Sequence, residues 1–118
     1  MAAHPIVRLL ATDPKRVIGL MSGTSLDGID AALVEVSGHG PDARVRLLRF
    51  TTMPFPPGVR ESIERLLDPD CPTSAADLST VNFRLGAAFG EAAALVAGDD
   101  PIDLVGSHGQ TVWHQHRG

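Results

Sequence analysis

Two short stretches of this sequence concentrate residues that could bind a polar ligand. The first is SGTSLDGID (residues 22–30), which crowds hydroxyls, glycines and two aspartates into one bend between apolar runs. Glycines leave backbone amides accessible to an anion, and the hydroxyls of Ser22, Thr24 and Ser25 would add further donors. The first bend is therefore predicted to bind phosphate. The second stretch is GSHGQTVWHQH (residues 106–116).

The two aspartates of this bend make the phosphate prediction depend on a cation. Asp27 and Asp30 would repel a bare phosphate, but Mg²⁺ held through water would make them compatible with a nucleotide. The bend lacks the lysine and the following helix of a Walker loop. Asp30 also begins a strand predicted to be buried on both faces, where a carboxylate needs a partner or a cation. The alternative is a structural turn, in which Gly23 and Gly28 supply positive φ angles and the polar side chains cap the bend.

The second stretch follows a short apolar run that predicts a strand. Loops at the carboxyl ends of strands bind ligands in open α/β sheets, so His108, Gln110 and Thr111 are candidates for contacts with a polar substrate. A zinc site at the histidines is an alternative, but no nearby cysteine or carboxylate completes its ligand set. Trp113 is expected in the core or in the wall of a cleft. No residue is assigned as a metal ligand or as a catalytic group.

The hydrophobic pattern predicts the elements that must position these loops. Apolar runs predict three strands near residues 17–21, 29–36 and 44–53, joined by tight loops into an antiparallel meander with the third strand near an edge. Two helices follow, one from Val59 and a longer one from about Ser74 to a cap at Gly98. The longer helix has apolar residues at helical spacing: Leu78, Val81, Leu85, Ala88, Ala92 and Leu95. A fourth strand is predicted within residues 102–108, and residues 1–16 are expected to be a lead-in.

Composition excludes several classes of function. The 118 residues carry a net charge of −4 and only 4% aromatics, so they lack both the basic groove and the stacking side chains that bind nucleic acid. Cys71 is the only cysteine, which rules out an internal disulfide and favours a reducing, cytoplasmic location. No apolar run is long enough to span a membrane. We therefore expect a cytoplasmic protein with neither a nucleic-acid partner nor a membrane partner.

The two motifs together resemble the anhydro-N-acetylmuramic acid kinase family. The resemblance lies in IGLMSGTSLDGID (18–30) and GSHGQTVWH (106–114), at the separation expected for that family. It covers about residues 17–114. The family is similar to the actin-like ATPases, whose α/β, ribonuclease-H-like core starts with a three-strand antiparallel meander and continues through helices to parallel strands. The resemblance therefore implies this fold class, and it agrees with the order of elements predicted from the pattern.

The resemblance also implies an activity and a set of site residues. The family uses ATP and water to open the ring of 1,6-anhydro-N-acetylmuramic acid while phosphorylating O6, which yields N-acetylmuramic acid 6-phosphate during peptidoglycan recycling. ATP and Mg²⁺ are the implied cofactors, this amino sugar is the implied partner, and a homodimer is expected for the full-length protein. The residues matching the ATP-phosphate loop are Gly23, Thr24, Ser25, Leu26, Asp27, Gly28, Ile29 and Asp30. Those assigned to the sugar side are Ser22, His108, Gln110 and Thr111.

The family's proteins extend well beyond the matched stretch. Their catalytic base, second phosphate loop and adenosine pocket lie in that later part, so we expect residues 17–118 to be the N-terminal part of a truncated domain. Half a cleft cannot align donor and acceptor, so the chain alone is predicted to be inactive. Three alternatives remain: a complete non-catalytic module that binds a nucleotide or a partner, a hydrolase using Ser22 or Ser25, and a nuclease using Asp27 and Asp30.

Overall fold

A computed structural model describes residues 4–23 and 25–113 of the chain. Its elements follow the order that the hydrophobic pattern predicts, three strands, two helices and a fourth strand, with one short helix added at the start. They are α1 (Pro5–Ala11), β1 (Lys15–Ser22), β2 (Ile29–Ser37), a 3-10 turn (Gly40–Asp42), β3 (Arg44–Met53), α2 (Val59–Leu67), α3 (Ala75–Ala97) and β4 (Leu104–Ser107). The short helix α1 lies in the stretch expected to be a lead-in, and β1 begins two residues before the predicted start.

The four strands form one mixed sheet in the order β3-β2-β1-β4. The pairs β1–β2 and β2–β3 are antiparallel, and β4 pairs with β1 in parallel. This confirms the α/β prediction of a three-strand meander followed by helices and a parallel strand. β1 is central because it pairs on both sides, and β3 is an edge strand as predicted.

A β-bulge in β3 changes which residues share a face of the sheet. The register shifts at Leu33 and Val34, so that Val34 pairs with Leu47 while Ala32 pairs with Phe50. Strict alternation along β3 would place Phe50 and Leu47 on opposite faces of the sheet. The extra residue of the bulge restores Phe50 to the same face as Leu47.

The core lies on one face of the sheet, under α2 and α3. Ile18, Ile29 and Leu33 are at most 1% exposed on this face, and α3 packs against β1, β2 and β3. The buried stripe of α3 consists of Val81, Leu85, Ala88, Phe89, Ala92 and Val96. Leu78 and Leu95 were predicted to join this stripe but are 49% and 60% exposed, because the helix turns Phe89 and Val96 toward the sheet instead.

The opposite face of the sheet is largely uncovered in the part of the chain that the structure describes. Ala32, Val34 and Val36 of β2 are only half-buried, and Asp30 is exposed. The prediction that β2 is buried on both faces is therefore wrong for these residues. Both of the longer helices pack on the face that carries Leu33, so the second apolar face of β2 faces outward.

Both ends of α3 are fixed by polar contacts. At its start, Ser74 and Asp77 form a capping box in which each side chain accepts a hydrogen bond from the other's backbone N–H. At its end, Arg49 of β3 donates to the carbonyl oxygen of Val96 at 2.9 Å and pairs with Asp100 at 2.6 Å. A cation at the helix C-terminus is favoured by the helix dipole, so this contact ties α3 to the edge strand.

None of the helices described is long and apolar enough to cross a bilayer.

The position of the core predicts how the chain responds to the loss of one methyl group. Ile18→Val should lower the free energy of unfolding by about 1 kcal/mol, because Ile18 is 1% exposed and the removed methyl leaves a cavity. The same substitution at Ile6, which is 60% exposed, is the matched control and should change stability by less than about 0.5 kcal/mol. Urea unfolding followed by circular dichroism measures both, and equal effects would contradict the placement of the core.

The capping box predicts a pH-dependent contribution to stability. The backbone N–H of Ser74, followed by its side chain, lowers the pKa of Asp77 below its usual 3.8. The folded state thus favours the carboxylate, and the stabilisation is present above the unfolded pKa and is lost as pH falls through the folded pKa. The difference in free energy of unfolding between the unchanged chain and the Asp77→Asn variant should therefore become smaller as pH falls from neutrality to below 3.8. Urea titrations of both proteins at each pH measure this, and a constant difference would contradict it.

Candidate functional site

The parallel pairing of β1 with β4 brings the two predicted motifs to the same edge of the sheet. The first bend follows β1 and the second loop follows β4, and Leu20 pairs with Ser107 next to both exits. Beyond the ladder, the backbone N–H of His108 donates to the carbonyl oxygen of Leu20 at 2.9 Å. Segments separated by more than 80 residues in sequence therefore begin side by side.

A hydrogen bond between side chains joins the two motifs directly. The Ser22 hydroxyl donates to Oε1 of Gln110 in a short hydrogen bond, and Nε2 of Gln110 donates to the carbonyl oxygen of Thr111 at 3.0 Å. Ser22 is only 3% exposed. Its hydroxyl therefore serves mainly to fix the orientation of the Gln110 amide, and its predicted contact with substrate stays a prediction.

The first bend divides into residues that face solvent and residues that face the core. Gly23, Ser25 and Asp27 are exposed. Leu26 is 6% exposed and has a φ of 55°, and its N–H donates to the carbonyl oxygen of Gly23 at 3.2 Å, which tightens the turn. Ile29 is fully buried. Thr24, also predicted to bind phosphate, lies outside the described residues.

The two glycines of the bend have different physical roles. A Cβ on Gly28, where φ is 147°, would lie 2.4 Å from the carbonyl oxygen of Met53, so the close approach of the bend to the end of β3 requires glycine. At Gly23 an added Cβ would meet only the Ser25 hydroxyl oxygen, at 3.7 Å. Packing therefore requires the absence of a side chain at Gly28, whereas at Gly23 a Cβ would make only an ordinary contact.

Asp30 has a hydrogen-bonding partner within the protein. It is exposed at the start of β2, and its Oδ1 accepts a hydrogen bond from the Thr52 hydroxyl at 2.7 Å. The expectation that Asp30 is buried is wrong, and of the two alternatives predicted for it, a partner or a cation, the structure shows a partner, the Thr52 hydroxyl. Its face of the sheet is open and β3 supplies a donor, so a metal is not required to explain its position.

A recess of about 260 Å³ lies between α3 and the loop that follows β4. Gln110 lines it and is half-buried, as is the neighbouring Thr111, whereas His108 is exposed. Trp113 is 67% exposed and therefore does not lie in the core, whereas its predicted place in the wall of a cleft stays a prediction. The lining residues are Leu78, Val81, Asn82, Leu85, Gly86, Phe89, Ser107, Gly109, Gln110 and Val112.

Sequence reasoning missed Asn82 as a candidate ligand-binding residue. It is an exposed polar residue of α3 and lines the recess beside Gln110. A signal existed, because Asn82 carries the only side-chain amide in α3. Only the packing of α3 over β1 and β2 shows that this amide lies near the second motif.

The structure groups no metal-ligating side chains where it describes the chain. Within residues 4–23 and 25–113 there is no cluster of three or more His, Cys, Asp or Glu side chains that could hold a metal ion. The zinc alternative involved His108, His114 and His116, and the last two lie outside the described residues.

Comparison with known proteins shows what the chain is related to. A family model described as anhydro-N-acetylmuramic acid kinase matches residues 15–118. This chain belongs to the anhydro-N-acetylmuramic acid kinase family. The resemblance predicted from the two motifs is thereby confirmed.

Curated relatives with the family's name match nearly all of the chain. The anhydro-N-acetylmuramic acid kinase of Caldanaerobacter subterraneus subsp. tengcongensis is 46% identical over a match of 114 residues, and the match covers 92% of this chain and 28% of that relative. The proteins of the same name from Trichormus variabilis and Bacillus cereus strain Q1 are 46% and 41% identical, over 86% and 84% of this chain. The match covers 26% and 27% of their lengths. The chain thus spans just over a quarter of these anhydro-N-acetylmuramic acid kinases.

The contact between the motifs predicts a measurable coupling between Ser22 and Gln110. Ser22→Ala should lower the free energy of unfolding by about 1 kcal/mol, because it removes the donor to Gln110 Oε1 at a nearly inaccessible position. In a double-mutant cycle with Gln110→Ala the coupling energy should be about 0.5–1.5 kcal/mol. Chemical denaturation measures all four proteins. Ser25→Ala, at an exposed position of the same bend, is the control and should change the free energy of unfolding by less than about 0.5 kcal/mol. If the effects of Ser22→Ala and Gln110→Ala on this free energy were strictly additive, the coupling would be contradicted.

Proposed function

We propose that this chain supplies the first phosphate-binding loop and part of the sugar side of an ATP-dependent anhydro-N-acetylmuramic acid kinase. The reaction would convert 1,6-anhydro-N-acetylmuramic acid, ATP and water to N-acetylmuramic acid 6-phosphate and ADP, in cytoplasmic peptidoglycan recycling. The observation that carries this proposal is the contact between Ser22 and Gln110, which joins the family's two motifs at one edge of the sheet. A kinase needs its phosphate donor and its acceptor held side by side.

The exposed side of the first bend fits a polyphosphate. Gly23 is exposed and carries no side chain that would hinder a ligand's approach to the backbone, and Ser25 is exposed on the same bend, with its hydroxyl 3.7 Å from where a Gly23 Cβ would lie. Phosphoryl transfer depends mainly on positioning and on neutralising charge, so a bend rich in hydrogen-bond donors is suited to it. We propose that Gly23 and Ser25 contact ATP phosphates, while Leu26, Gly28 and Ile29 shape the loop from its buried side.

The two aspartates differ in their suitability for Mg²⁺. Asp27 is exposed on the bend next to Ser25, which suits a carboxylate that holds a hydrated Mg²⁺ through water. Asp30 already accepts a hydrogen bond from Thr52 and lies on the strand beyond the bend. We propose that Asp27 holds the ion, which would neutralise phosphate charge, and that Asp30 has a supporting role.

The second motif supplies groups that suit a sugar. The Gln110 amide keeps a second N–H and a second lone pair after its contacts with Ser22 and Thr111, so it can still bind a hydroxyl group. His108 is exposed next to it, and Asn82 lines the same recess. We propose that His108, Gln110 and Thr111 contact the amino sugar from this side, with Ser22 acting through Gln110.

Binding of Mg-ATP to isotope-labelled chain tests the proposal. Adding Mg-ATP should shift backbone amide signals of residues 23–30 more than those of the rest of the sheet. Gly23→Val should weaken binding about tenfold or more, because the added side chain fills the space beside the exposed bend. Nuclear magnetic resonance titration measures both effects.

Gly90→Val is the matched control. Gly90 is exposed on α3 with nothing within 4 Å of an added Cβ, and this variant should bind Mg-ATP as the unchanged chain does. Circular dichroism establishes that both variants are folded. Signals that shift only outside residues 23–30, or equal weakening by the two variants, would overturn the assignment of the phosphate loop.

A further inference from the structure

We infer that the recess between α3 and the loop after β4 recognises the acetamido group of the amino sugar, with Asn82 and Gln110 as its specificity-determining residues. This assignment rests on the proposed function, because the ligand is the sugar named there. That sugar offers three kinds of polar substituent to a protein: an acetamido group, a carboxylate on its lactyl ether, and a hydroxyl. The chemistry of the recess selects one of them.

The absence of charge in the recess decides against the carboxylate. Of the ten residues that line it in the described part of the chain, none is Asp, Glu, Lys, Arg or His. A carboxylate needs a cation or several hydrogen-bond donors when it leaves water, because its desolvation alone is costly. A neutral polar group needs only a matching donor or acceptor. The recess therefore favours the acetamido group or the hydroxyl over the lactyl carboxylate.

Side-chain amides line the recess from two different elements. Gln110, on the loop, is held by Ser22 and by the carbonyl oxygen of Thr111, but its amide keeps one N–H and one lone pair. Asn82, on α3, is exposed and adds an amide NH₂ and a carbonyl oxygen. An acetamido group has one N–H and one C=O, so each of these can pair with a side-chain amide. Two amides on separate elements thus match the acetamido group.

The inner wall of the recess is apolar and suits the methyl of an acetamido group. Val81, Leu85 and Phe89 of α3 line the recess and are only 5%, 8% and 8% exposed. A methyl group resting on them would be removed from water, which favours binding, whereas a hydroxyl has no apolar part to place there. The recess has a volume of about 260 Å³, below the roughly 300–1,000 Å³ of pockets for whole drug-sized ligands. One substituent of the sugar therefore matches it better than the entire sugar.

The sequence of α3 beside the recess is unfavourable for a helix. Asn82 and Gly86 lie one turn apart, both line the recess, and each has a lower helix propensity than alanine. A Cβ added at Gly86 would meet nothing within 4 Å, so packing within the described chain does not require glycine there. Gly90, one turn further along, has the same open surroundings but does not line the recess. These two glycines therefore form a matched pair of positions, one at the recess and one outside it.

Titration of isotope-labelled chain with two sugars tests the inference. The sugars are 1,6-anhydro-N-acetylmuramic acid and its de-N-acetylated form, 1,6-anhydromuramic acid, and binding is followed by nuclear magnetic resonance. The acetylated sugar should shift the side-chain amide signals of Asn82 and Gln110. Its acetyl methyl protons should show nuclear Overhauser effects to the side chains of Leu85 and Phe89. Removing the acetyl group should weaken binding about tenfold or more, because the side-chain amides lose their partner.

Three variants of α3 separate a role of the recess from a general effect on the helix. Gly86→Leu should weaken binding of the acetylated sugar about tenfold or more, because the new side chain occupies the recess. Gly90→Leu is the matched control and should change this affinity by no more than about twofold. Leucine is a stronger helix former than glycine, so both variants should fold, which circular dichroism checks. Asn82→Ala should reduce the preference for the acetylated sugar about threefold or more, a ratio that a merely structural change would not alter.

The outcomes distinguish this inference from the proposed function. A preference for the acetylated sugar, with binding weakened by Gly86→Leu and kept in Gly90→Leu, supports the assignment of the recess. Equal binding of the two sugars, equal weakening by the two leucine variants, or no binding of either sugar would overturn it. If both sugars bind equally and shift the signals of residues 108–111, the proposed function is kept and only the acetamido assignment fails. If the acetylated sugar binds in the recess but Mg-ATP does not shift residues 23–30, the acetamido assignment is kept and the proposed function fails.

Discussion

The two hydrogen-bonded ladders of β1 are the constraint on which the rest of the structure depends. β1 pairs with β2 on one side and with β4 on the other, so its direction sets where the first bend and the second motif leave the sheet. The N–H of His108 extends the parallel ladder by bonding to the Leu20 carbonyl oxygen, and the Ser22 hydroxyl reaches Gln110 just beyond it. The candidate site is thus a consequence of strand pairing, to which the loops add chemical groups.

Helix α3 keeps this arrangement on one side of the sheet. Its buried alanines, Ala88 and Ala92, allow it to lie close to the sheet, while Arg49 and Asp100 fix its C-terminal end to β3 and β1. The Asp100 carboxylate contacts Arg16 at 3.0 Å as well as Arg49. These ion pairs are partly exposed and individually weak, so the buried stripe of α3 provides most of the stabilisation. The ion pairs mainly determine how the helix end meets the strands.

One side of the sheet is therefore a packed core, and the other is an exposed apolar surface. This asymmetry links the fold to the proposed function, because a cleft between phosphate donor and acceptor needs walls that the described residues supply only in part. In the proposed function the first bend and the second motif would form one wall, and the recess lined by Asn82 lies between α3 and the loop after β4. The chain's 28% share of the Caldanaerobacter relative agrees with a partial cleft.

Much of the fold could be predicted from the sequence, because its signals are local. Alternating apolar residues identified the strands, helical spacing and capping residues gave α2 and α3 with their ends near Ser74 and Gly98, and the two motifs identified the family. Within the site, however, the sequence could not distinguish a glycine that packing does not require, Gly23, from one that packing does require, Gly28. Both glycines lie in the same bend, among the same types of residue.

Only the tertiary structure decided which residues meet. The bulge that returns Phe50 to the face of Leu47, the partner of Asp30 on β3, and the contact between Ser22 and Gln110 all depend on residues distant in the sequence. Periodicity shows that successive residues of a strand lie on opposite faces of the sheet, but it does not show which face the helices will cover. That choice was made by the packing of α3. The sequence by itself therefore determined the elements and the family, and long-range pairing determined the geometry of the site and the face left open.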